Sequence, residues 1–188
     1  MADPGGELFI KAMEATQKVV NQVKADQWTG STPCTDWDVK ELVNHLIGEY
    51  KWAVELLAGK TTDEVGTVLE GDLTGGDPLA TFNSSLDGAK KAAQAPRAMD
   101  AVCHLSFGDY SGDDYTKQLF LDSLIHGWDL AVATGQATTL DGVLVTACMP
   151  VAEELRGMFG QYGVFGEDLR DPDANEQANL LGIMGRRG

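Results

Sequence analysis

The chain has 188 residues, 43% of them hydrophobic, with a formal net charge of -15; this fits one well-packed domain, and the acidic surplus argues against DNA or RNA as a partner. No apolar run approaches the roughly 20 residues that span a bilayer, and the opening MADPGGELFIKAM has no secretory signal, so a soluble cytoplasmic protein without a membrane partner is expected. Cys34, Cys103 and Cys148 are odd in number and far apart, a pattern of reduced thiols rather than of disulfides or a cysteine zinc knuckle.

Leu8, Phe9, Ala12, Met13, Val19, Val20 and Val23 recur at helical spacing with no intervening proline, which predicts a first helix over 7–26. The turn-forming segment WTGSTPCTDWD follows, and Thr35 or Asp36 within it can cap a second helix that runs to about residue 58 and stops at Gly59. After a polar, glycine-rich stretch, Asp77 and Pro78 mark the start of a third helix over 78–95, ended by Pro96. Residues 98–112, AMDAVCHLSFGDYSG, alternate loosely and predict a short extended segment or hairpin. Ser111 or Asp113 begins the fourth long helix, which ends at Gly135, and a further helix covers 141–159 despite Pro150. From 160 onward the chain is glycine-rich and charged around one apolar patch, Leu180, Leu181, Ile183 and Met184, and an irregular packed tail is expected. The expected fold is a single all-α domain over 1–188: a four-helix bundle with a short extended insertion.

A helix turns about 100° per residue, so side chains can be assigned to faces. On the second helix, Val39, Leu42, Val43, Leu46, Ile47, Tyr50, Ala53, Val54 and Leu57 form an apolar arc; His45 falls at its margin and Glu49 inside it. An inward carboxylate needs a cation or a wet cavity. On the fourth long helix, Leu121, Leu124, Ile125, Trp128 and Val132 form one stripe and Leu119, Leu130 and Ala133 another; Asp122, His126 and Asp129 lie between them and are predicted to point inward. The four-residue step stacks Asp122 and His126 one turn apart. Two histidines and a carboxylate with one position open suit Zn²⁺ or another first-row divalent ion, which lowers the pKa of a bound water or thiol. The competing interpretation is an ion pair within one helix, since helical period does not say which helices face each other. His104 in the extended segment either lines the site or is simply exposed. Cys34 precedes a helix start, where the dipole favours a thiolate, but reads first as an inert buried thiol. Trp37, Trp52 and Trp128 read as core.

The stretches TPCTDWDVKELVNHLIGEYKWAVELLAGK and FLDSLIHGWDLAVATGQ, in this order, resemble the actinobacterial metal-binding proteins related to the N-terminal domain of mycothiol-dependent maleylpyruvate isomerase, within the wider DinB and YfiT group. The similarity extends to HLSFGDYSGDDY and to the tail LLGIMGRR. The resemblance implies a four-helix bundle that holds a divalent metal, zinc first and nickel or manganese as alternatives, through His45 in VNHLIGE and through Asp122 and His126 in LDSLIHGWD. It further implies a thiol-dependent transferase in which the metal keeps mycothiol or a similar thiol as thiolate and presents it to an electrophile. Glu49 or Asp129 would stand behind the ligands or act as base, and His104 would carry a proton. The isomerase has glutamate where this chain has Asp122, so a different metal affinity or choice is expected. It also has an additional C-terminal domain that 188 residues leave no room for, so transfer rather than isomerisation is expected. The alternative is a non-catalytic metal- or ligand-binding accessory module. Broad apolar helix faces also suit a homodimer.

Overall fold

The computed structural model describes residues 4–163 and 165–188. Helices α1 (Gly5–Val20), α2 (Val39–Leu57), α4 (Pro78–Ala93) and α5 (Gly112–Ala133) form the bundle, joined by the four-residue α3 (Thr62–Val65) and an antiparallel hairpin of β1 (Val102–Leu105) and β2 (Gly108–Ser111). Around the bundle α1 packs on α5 and α4, and α2 on α4 and α5. The two helices that carry the candidate ligands therefore face each other. Outside this ring α6 (Gly142–Phe159) lies on α5, and α7 (Glu176–Ile183) lies on α6.

The all-α expectation holds, and the predicted apolar faces supply much of the core, which also takes in Phe82 and Phe120, residues that those faces did not include. Phe9, Met13, Leu42, Leu46, Tyr50, Phe82, Phe120 and Leu124 are fully buried, each large side chain contributing about 1.5–3 kcal/mol relative to exposure. Gly127 permits the α1–α5 approach: a Cβ there would sit 2.4 Å from Thr16 Oγ1, whose hydroxyl donates to the Ser123 carbonyl at 2.8 Å. Among the described residues no helix is long and apolar enough to cross a membrane.

Several boundaries differ from expectation for local reasons. Helix α1 stops at Val20 rather than near 26, because Gln22 N and Val23 N bond three residues back and tighten the chain into a turn. Helix α2 is capped by Asp38, not by Thr35 or Asp36: Asp38 accepts from Glu41 N at 2.8 Å, and Glu41 returns a bond to Asp38 N at 2.8 Å. Ser111 caps α5, and Asp77 caps α4. The tail is more ordered than expected, since Asn175 caps α7 and Leu180, Leu181 and Ile183 are fully buried. Val132, expected in an inward stripe, is 41% exposed.

Candidate metal centre

The late start of α2 leaves residues 34–37 free to fold back over its first turns. Loop carbonyls satisfy the first helical N–H groups: Val39 N bonds Gly30 O at 3.0 Å and Lys40 N bonds Trp28 O at 2.9 Å. The loop is braced by Thr32, whose hydroxyl donates to the Trp37 carbonyl at 2.9 Å and receives Cys34 N–H at 3.1 Å. This brings Trp37 flat onto the His45 ring, with centroids 4.7 Å apart and planes at 26°. Cys34 comes to the far side of His126.

His45 from α2 and Asp122 and His126 from α5 converge, as expected from their faces. His45 Nε2 lies 3.1 Å and His126 Nε2 lies 3.3 Å from the same oxygen, Asp122 Oδ1. One ligand atom from each of the three residues falls within 4.8 Å of the others. Asp122 Oδ2 is buried with no hydrogen-bond partner among the described residues. A buried carboxylate oxygen left unpaired is costly, and a divalent ion held by the two Nε2 atoms and this carboxylate would satisfy it. The donor set fits such an ion.

The charges are strongly interdependent. Burial drives both imidazoles toward neutrality, but the Asp122 carboxylate outweighs it and leaves His45 and His126 above the usual histidine value. Burial likewise opposes ionisation of Asp122, yet the two imidazoles hold it below the usual carboxylate range. One helical turn after His45, Glu49 is pushed up to about 7, chiefly by burial and then by the Asp122 charge. It is half-buried, as its inward position predicted.

Behind His126 sits a second set of polar groups. Asp129, fully buried, accepts from His126 Nδ1 at 3.0 Å. Because the carboxylate can only accept, this bond keeps a proton on Nδ1, so that Nε2, which donates to Asp122 when no ion is bound, is the nitrogen that could be given up to an ion. Arg186 reaches Asp129 with both Nε (3.2 Å) and Nη2 (2.8 Å), and Nη2 also lies 3.0 Å from Cys34 Sγ. Cys34 in turn lies 3.3 Å from Asp129 Oδ2. Cys34 is thus half-buried in a polar cluster, not the inert buried thiol expected; Cys103 and Cys148 are the buried ones.

Two cavities flank the ligand set. The larger, about 670 Å³, is lined by Cys34, Trp37, His45, Asp122 and His126, and is walled on one side by the tail through Phe165, Met184 and Arg186. The smaller, about 380 Å³, is lined by Trp37, His45, Glu49 and Trp52. Trp37 and His45 border both. Of the tryptophans expected in the core, only Trp128 is buried there. His104 stands apart: its Nδ1 lies 2.8 Å from Asp109 across the hairpin, and it lines neither cavity. Arg186 was not singled out by sequence, and its one signal was a basic residue directly after a buried apolar run.

The profile of the family described as the mycothiol maleylpyruvate isomerase N-terminal domain matches residues 9–131, a span that contains all three converging ligands. Two uncharacterized proteins of Mycobacterium tuberculosis are similar along their length: Rv0738 of strain ATCC 25618 / H37Rv and MT0763 of strain CDC 1551 / Oshkosh. Each is 29% identical over 184 residues, covering 92% of this chain and 93% of the relative. No solved structure gives a match.

Proposed function

The chain belongs to the family of the mycothiol maleylpyruvate isomerase N-terminal domain, and from that premise we propose that it is a divalent-metal-binding, thiol-dependent transferase. The observation that carries this is the convergence of His45 Nε2, His126 Nε2 and the Asp122 carboxylate, with Asp122 Oδ2 buried and unpaired. Zinc suits the two-histidine, one-carboxylate set best, with nickel or manganese as alternatives. A bound ion would supply the positive charge that keeps a thiol of the mycothiol type as thiolate at neutral pH.

The chain's own groups do the rest. Asp129 fixes the His126 tautomer, and Trp37 covers the outer face of His45 and limits water there. The larger cavity has room for a small-molecule thiol and its electrophile. Glu49, with its ionisation displaced to about 7, can hold or release a proton near neutral pH, which suits a general acid–base group beside the ligands. His104, paired with Asp109, is given no part in these steps.

Purified protein is expected to bind one divalent ion per chain and to lose it in His45→Ala and His126→Ala. Thiol transfer to an electrophile should disappear on chelation and return with Zn²⁺. Protein that stays metal-free after incubation with Zn²⁺, Ni²⁺ and Mn²⁺ would overturn the proposal.

A further inference from the structure

His126 belongs to two donor sets at once. Its Nε2 faces Asp122 and His45, while Nδ1 faces Asp129 and Cys34, and each set has one ligand atom per residue within 4.8 Å of the others. By chemistry the second set is the softer one: a thiol, an imidazole and a carboxylate suit Zn²⁺ or Co²⁺ at least as well as the first. A metal captured there would take the thiol as a ligand and draw His126 away from its Nε2 role.

A cation already occupies that second set. The Arg186 guanidinium meets both Asp129 oxygens and Cys34 Sγ, while Nη1 donates to the Met184 carbonyl at 2.7 Å. Its side chain is only 16% exposed. Arginine keeps its charge when buried, so it neutralises Asp129 permanently. The tail is built to deliver it. Leu180, Leu181 and Ile183 anchor α7, Arg186 N bonds Leu181 O at 2.8 Å, and Gly185 turns the chain at φ 74°. A Cβ at Gly185 would lie 2.8 Å from Gly166 Cα, so the approach of the two backbones requires glycine. Arg156 ties the same turn to α6 by bonding the carbonyls of Ile183 and Gly166.

We propose that Arg186 is a specificity-determining positioning residue: a resident cation that closes the Cys34–His126–Asp129 set to metal and so commits His126 to the ion through Nε2. The inference rests on the proposed metal site but makes a separate prediction. Without the guanidinium, the buried Asp129 carboxylate lacks its charge partner and recruits a metal instead. Cys34 then becomes a thiolate ligand, its proton passing to solvent.

The test is Co²⁺ titration of the full chain, read by thiolate-to-cobalt charge-transfer absorption and by elemental analysis. Wild type and Arg186→Lys, which both keep a cation, should show no charge-transfer band. Arg186→Gln and Arg186→Met, confirmed as folded by far-UV circular dichroism, should show one, and adding Cys34→Ser to Arg186→Gln should abolish it. A band in wild type overturns the inference whatever the variants do, as does its absence from the folded uncharged variants. Wild type that takes no cobalt at all instead sinks the proposed function, while the band in Arg186→Gln still decides the role of Arg186.

Discussion

Asp129 accepts from a histidine, an arginine and a thiol simultaneously while wholly removed from water, and such a carboxylate is tolerable only because charged donors surround it. Glu49 is its opposite: among the described residues no cation forms an ion pair with it, and burial and the Asp122 charge push it up to about 7. A carboxyl whose folded pKa is raised contributes stability that is complete below its unfolded value near 4.5 and is lost as pH rises through about 7. Metal-free Glu49→Gln, neutral throughout, should therefore gain on wild type by on the order of 1–3 kcal/mol between pH 5 and 8. Urea unfolding at several pH values measures it, and a difference that does not vary with pH would refute the assignment. His45 and His126, raised by Asp122, slope in the same direction in both proteins, and only the Coulombic lift that Glu49 gives His45, the least of its causes, is lost in Glu49→Gln. Face arithmetic located Glu49, Asp122, His126 and Asp129 because a regular helix converts sequence position into direction. Cys34 and Arg186 lie in a loop and a tail, where no such conversion exists.

At the scale of elements, two short-range choices shape the site. The Asp38 and Glu41 capping box starts α2 late and frees the loop that carries Cys34 and Trp37. Both Thr35 and Asp36 have the right chemistry for a cap, and the choice falls to Asp38 because the loop carbonyls of Trp28 and Gly30 meet the helix there. The second choice is Gly127, which lets α1 approach α5 one residue from His126. Gly127→Val should cost about 1–3 kcal/mol through overpacking against Thr16, with the urea midpoint as the readout; an unchanged midpoint would show that the crossing yields freely. The α1 end near Val20 was hidden from periodicity, since Val23 continues the apolar spacing and still packs on the core outside the helix.

For the whole molecule, the ligands come from two helices that are far apart in sequence and adjacent in the bundle, so an ion would cross-link the folded state. Anything that binds only the folded chain stabilises it by mass action, about 2.7 kcal/mol at a hundredfold excess over Kd. Zinc should accordingly raise the Tm of wild type, EDTA should reverse the gain, and His126→Ala should not respond. An equal rise in His126→Ala would place zinc elsewhere. The tail enters at this scale too: it is a wall of the larger cavity, and Arg156 bridges it to α6.

What the sequence determined by itself was the five long helices, most of their buried faces, the inward direction of Glu49, Asp122, His126 and Asp129, and the place of His45 at the margin of its face, because these follow from local periodicity. Tertiary structure alone decided that α2 faces α5, that Trp37 and Cys34 fold over the ligands, that His104 stands outside them, and that Arg186 returns from the tail to Asp129. Those contacts join residues distant in the chain through irregular segments, whose path is set by what the assembled bundle leaves open rather than by any repeat along the chain.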